Sequence, residues 1–67
     1  MAMRLRINGQ LMEASALTVA ELLRELGIEP RAVAVEVNLS IVPKKDYQVF
    51  RLKEGDTVEI VSFVGGG

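Results

Sequence analysis

Apolar and polar residues alternate along residues 3–8, with Leu5 and Ile7 on one side and Arg4 and Arg6 on the other, the pattern of a strand with one buried face. Asn8-Gly9 follows, a pair that favours a tight hairpin because both residues accept positive φ. Residues 10–14 read as a weaker returning strand, with Leu11 expected inward and Glu13 on the same side near an edge. The period then changes. Val19, Leu22, Leu23 and Leu26 follow the three-and-four spacing of one helical face. Thr18 and Glu21 have the spacing of a capping box, the Thr18 hydroxyl accepting from the Glu21 amide and the Glu21 carboxylate returning to the Thr18 amide. Leu17 is placed to staple against Leu22, Gly27 suits a left-handed cap, and Pro30 keeps the helix from resuming. Burying each leucine is worth roughly 1.5–3 kcal/mol, so in so small a chain this face reads as core and not as a partner-binding stripe.

Val33, Val35 and Val37 alternate with Ala34, Glu36 and Asn38, a strand with a clear inward face that is expected to be central. Asn38-Leu39-Ser40 turns the chain into a short strand at Ile41-Val42, and Pro43 stops it by removing a ladder donor. Lys44-Lys45-Asp46 reads as a solvated connection. Tyr47, Val49, Phe50 and Leu52 offer core plugs around another short strand, and Lys53-Glu54-Gly55-Asp56 is a turn. In the last strand, residues 57–64, Val58 and Ile60 face inward with Ser62, leaving Glu59, Val61 and Phe63 on the other side. That register makes Val61 and Phe63 an exposed apolar patch and a candidate docking surface, whereas a one-residue slip at the far end returns Phe63 to the core. The element order places one main helix on a mixed sheet of four to five strands, a two-layer α+β architecture. A first hairpin, a crossover helix and a final strand returning beside the first describe the β-grasp, or ubiquitin-like, arrangement. Residues 1–64 are read as that domain and residues 65–67 as a flexible tail.

Composition narrows the chemistry. The 67 residues are 49% apolar and 25% charged with a net charge of -1, an ordinary globular balance. Eight scattered basic residues against nine acids give no electropositive footprint for nucleic acid. No apolar run approaches membrane-spanning length and no signal-peptide pattern is present, so a cytoplasmic location is expected. With no cysteine and no histidine, the thiol nucleophile, the commonest metal ligands and the usual general base are all missing. An enzyme acting alone is disfavoured; carboxylate chemistry through Glu36 or Glu59 is what composition leaves for one. The chain ends Val64-Gly65-Gly66-Gly67. Glycine adds nothing to a core and is costly to order, so such an end is either a frayed terminus or a slim backbone for threading a terminal carboxylate into another protein's narrow site.

Val37-Asn38 with Ile41-Val42-Pro43, Leu52 with Glu54-Gly55-Asp56, Val58-Glu59-Ile60-Val61, and the final Phe63-Val64-Gly65-Gly66-Gly67 closely resemble the thiamine-biosynthesis sulfur carrier family. The likeness runs over nearly the whole chain, the Thr18 helix start included. A final Gly-Gly defines that family, so its functional pair falls on Gly66 and Gly67, with Gly65 as an additional glycine before them. The resemblance implies a carrier that does no chemistry alone and binds no cofactor of its own. It implies an adenylating partner related to ubiquitin-activating enzymes, which uses ATP and magnesium to make an acyl-adenylate of the Gly67 carboxylate. A sulfur donor fed by a cysteine desulfurase then leaves a thiocarboxylate on Gly67, and thiazole synthase takes that sulfur into the thiazole ring. Sulfur held this way needs no cysteine. On this reading Gly65 and Gly66 thread the tail, while Val61, Phe63 and Val64, with Arg51, contact partners. Two other readings stay open: the small subunit of molybdopterin synthase, which shares fold and ending, and a non-carrier β-grasp module that docks through its sheet and has no need of a free terminus.

Overall fold

Two hairpin turns and one capped helix set the chain path in the computed structural model, which describes residues 2–63. Strands β1 (Met3–Ile7) and β2 (Gln10–Ala14) form the first hairpin, helix α1 (Val19–Leu26) crosses over, and β3 (Val33–Val37) and β4 (Ser40–Val42) form the second. Strand β5 (Thr57–Ser62) then enters the sheet, whose order is β2-β1-β5-β3-β4. It lies parallel to β1 and antiparallel to β3. This is a two-layer β-grasp with a mixed five-stranded sheet. β5 holds the middle of the sheet, and β3, expected to be central, is likewise interior, between β5 and β4.

The first hairpin corrects the reading of β2. The two-residue turn pairs Ile7 with Gln10, and therefore Leu5 with Met12 and Met3 with Ala14. Directly paired residues share a face, so Ala14 is buried and Met12 half-buried, while Leu11 points outward opposite Arg6 and is 62% exposed. Turn length, not hydrophobicity, chose the register.

Helix α1 forms as its spacing predicts, and each of its first amides finds an acceptor. The Val19 and Ala20 N–H groups donate to the carbonyls of Phe50 (3.1 Å) and Tyr47 (2.8 Å), and the Glu21 amide donates to Thr18 Oγ1 (3.2 Å). The Glu21 carboxylate accepts from the Leu17 amide (2.8 Å), one residue earlier than the expected Thr18, which is paired with Arg51 in an antiparallel bridge. Leu17 stays exposed, so this hydrogen bond and not a staple fixes the helix entry. At the other end Gly27 sits at φ 73; its N–H reaches the Arg24 carbonyl (3.1 Å) and that of Ile28 reaches Leu23 (2.8 Å), a Schellman motif. Val19, Leu22 and Leu23 pack into one core with Leu5, Val35 and Val58.

Residues 47–52 do not form the expected strand. Amides of Val49 and Phe50 are spent on the Asp46 carbonyl (3.0 and 2.8 Å) and that of Tyr47 on Lys44 (3.1 Å), leaving only the Arg51 bridge to Thr18. Tyr47 and Leu52 are buried and Phe50 is half-buried, but Val49 is exposed and plugs nothing.

Asparagines at both hairpin turns grip β5. Asn8 accepts from the Ile60 amide (2.7 Å) and donates to its carbonyl (3.2 Å). Asn38 accepts from the Thr57 amide (2.9 Å) and donates to Oδ1 of buried Asp56 (2.9 Å), whose other oxygen accepts from the Lys53 amide (2.8 Å). On the opposite side of the strand the Arg4 amide and then its guanidinium donate to Glu54 (2.8 and 3.1 Å) and hold that carboxyl below its ordinary range. The second turn is chemically the weaker one. Where the first has Gly9, it has Leu39 at φ 73, 87% exposed. A left-handed leucine is strained, so Leu39→Gly is expected to stabilise the domain by roughly 0.5–1 kcal/mol, read as a higher thermal midpoint.

Candidate functional site

The face of the sheet away from α1 is built by β5 and its neighbours. Val58, Ile60 and Ser62 pair with Val37, Val35 and Val33 on the helix side, which puts Glu59 opposite Glu36 and Val61 opposite Ala34 on the open side. No slip occurs. Val61 is 58% and Phe63 60% exposed, and the Phe63 amide donates to the Ala32 carbonyl (2.8 Å), continuing the pairing one residue past β5. Ile41, paired with Glu36 across β3 and β4, joins Val61 as an exposed apolar side chain on this face. Alternation with inward Val42 was the available signal for it. The opposed Glu36 and Glu59 work against the fold, since like charges directly across a ladder are destabilising by roughly 0.2–1 kcal/mol. Glu59→Lys is therefore expected to raise the urea midpoint by a corresponding amount.

A second group of residues stands at the end of β5. The Lys44 ammonium donates to the carbonyls of Val33 (2.6 Å) and Pro30 (3.3 Å) and lies 5.1 Å from the Phe63 ring centroid and 5.7 Å from that of Tyr47. The Tyr47 hydroxyl donates to the same Val33 carbonyl (3.5 Å). Burial pushes its phenol above the ordinary range, with a backbone hydrogen bond at Val35 offsetting part of the rise. Lys44 had read as part of a solvated charge run, and no spacing in the sequence distinguishes it from Lys45, whose ammonium lies only near Asp46 (3.8 Å).

The structure thus leaves Val61 and Phe63 exposed, at the end of β5 and just past it, and Arg51 apart, at the helix entry beside Thr18. Val64, Gly65, Gly66 and Gly67 lie outside the described residues. Among the described residues no cluster of three or more potential ligands could hold a metal ion, and no helix is long and apolar enough to cross a membrane.

Fold and site together define a ubiquitin-like β-grasp protein whose central strand leads toward a glycine end. The model of the ThiS family matches residues 5–67. The chain is 53% identical over 66 residues to a thiazole synthase of Paramagnetospirillum magneticum, an alignment covering 97% of this chain but only 20% of that longer protein. It is 42% identical over 50 residues to the sulfur carrier protein ThiS of Bacillus subtilis, covering 75% of this chain and 76% of that one. The crystal structure of the thiamine biosynthesis protein ThiS from Geobacter metallireducens matches with a TM-score of 0.83 at 33% identity, over 97% of this chain and 100% of that one. The chain belongs to the ThiS family.

Proposed function

We propose that this protein carries sulfur for thiamine biosynthesis on its C-terminal carboxylate and acts as a co-substrate of partner enzymes without catalysing a step itself. The observation that carries the reading is the family match, which runs through to Gly67 and so includes the Gly66-Gly67 pair. It favours the thiamine role over the molybdopterin one.

A carboxylate is a poor acyl donor because its oxygen is a poor leaving group. An adenylating partner of the ubiquitin-activating type would join the Gly67 carboxylate to the α-phosphorus of ATP, with magnesium, releasing pyrophosphate. A persulfide on a donor fed by a cysteine desulfurase then displaces AMP, one carboxylate oxygen leaving with it, and a second thiol cleaves the resulting acyl disulfide, forming a disulfide with the donor sulfur and releasing the thiocarboxylate. ATP and magnesium belong to the partner. Thiazole synthase is proposed as the acceptor, supported by the thiazole synthase that contains a segment similar to this chain. Three extended glycines reach about 10 Å, enough to carry the carboxylate into a cleft while the body docks outside it. Val61, Phe63 and Val64 are proposed as docking contacts, with Arg51 as an outlying one.

Incubation with the cognate adenylating enzyme, ATP, magnesium and a sulfur source is expected to replace one oxygen by sulfur, detected by intact mass and localised to the peptide ending in Gly67. An unchanged mass in the presence of an enzyme active on its own ATP would overturn the reading.

A further inference from the structure

We propose that Lys44 is a positioning residue for the Phe63 docking contact; the inference rests on the carrier reading for its purpose and on the structure for its geometry. Phe63 follows β5 and precedes Val64 in the sequence, and it is 60% exposed, as a contact offered to a partner must be. Two attachments hold it. Its amide donates to the Ala32 carbonyl (2.8 Å), which fixes the backbone, and the Lys44 ammonium sits 5.1 Å from the centre of its ring, within cation–π range.

Lys44 is itself held. Two of its donors go to the carbonyls of Val33 (2.6 Å) and Pro30 (3.3 Å), so the charge is pinned to the start of β3 and does not sweep with its four-carbon stem. Residues 30–33 therefore grasp the end of β5 twice, directly through Ala32 and indirectly through the ammonium. Other cations of this region do no such thing: Lys45 lies near Asp46 (3.8 Å) and Arg31 pairs with Glu29 (3.3 Å). A ring held in place presents one orientation to a partner, and the entropy of fixing it is lost before docking and not during it.

The test uses Lys44→Met, which keeps the stem and removes the charge, Lys44→Arg, which keeps a cation and its donors, and Lys45→Met, which removes an equal charge from the same turn. With the carrier as varied substrate of its adenylating enzyme, Lys44→Met is expected to raise KM about two- to fivefold, the span of an exposed cation–π contact, with kcat unchanged. Lys44→Arg should restore KM, and Lys45→Met should leave it at the wild-type value. In a Phe63→Leu background, Lys44→Met should have no further effect. An unchanged KM in Lys44→Met, or the same rise with and without the Phe63 ring, would overturn the proposal. On the free protein, Phe63 ring-proton shifts should move in Lys44→Met and return in Lys44→Arg. If the wild type is not adenylated at all, the carrier reading fails, and these shifts alone decide whether Lys44 holds the ring; their constancy would overturn it.

Discussion

A variant carrying one additional residue after Gly67 should lose sulfur loading. The extension converts the Gly67 carboxylate into an amide, which has no free oxygen to attack the α-phosphorus of ATP. A carboxylate still exists, but it now lies about 3.5 Å further along the backbone. On the proposed docking through Val61 and Phe63, the body keeps its place on the partner while the reacting end moves on. Misplacement of a reacting group by even 1 Å costs about 100-fold, so loading measured by intact mass should fall by at least about that factor. Gly66→Val should act in the same direction by putting a branched side chain into the segment proposed to thread the partner's cleft. If the extended protein is loaded and supports thiazole formation as well as the wild type, the carrier reading fails and the non-carrier binding module takes its place.

Leu23→Ala should unfold most of the protein. Leu23 is 0% exposed and packs in the single core beneath the sheet, where truncation of a leucine costs about 2–5 kcal/mol through lost burial and the cavity left behind. A domain of this size commonly has only about 3–5 kcal/mol to lose. The expected result is a urea transition displaced nearly to zero denaturant, with a weakened helical signal in circular dichroism. Leu26→Ala, at a half-buried position one turn on, should cost clearly less. A loss below about 1 kcal/mol in Leu23→Ala would mean that the core collapses around the gap more completely than close packing allows. The variant also separates platform from tail, since its glycines are intact while its docking face is not.

Features determined by near neighbours were legible in the sequence. The Thr18 cap, the Gly27 stop, the alternation of Val33, Val35 and Val37, the facing of Val61 and the exposure of Phe63 depend on local spacing, and the structure shows each of them. The same spacing misled where a distant partner had the final say. Leu11 is more apolar than Met12 or Ala14 in context, yet the turn at Asn8-Gly9 fixed which of them faces the core. Tyr47, Val49 and Phe50 suggested a strand, but Asp46 captured their neighbourhood's amides in turns. Lys44 differs from Lys45 through the distant carbonyls of Pro30 and Val33 and the rings of Tyr47 and Phe63, relations that composition and periodicity do not carry. Of the candidate site, Val61 and Phe63 could be read from alternation, Ile41 could have been, and Lys44 could not.

The central position of β5 also has a mechanical meaning. A partner that draws in the tail pulls along a strand bonded to β1 on one side and β3 on the other. Tension along that axis loads the ladder bonds in shear, many at once, with the side chains of Asn8 and Asn38 as extra fasteners at Ile60 and Thr57. An edge strand under the same pull would peel open bond by bond. On the proposed carrier role, the load would be attached to the body by the member of the sheet hardest to strip away.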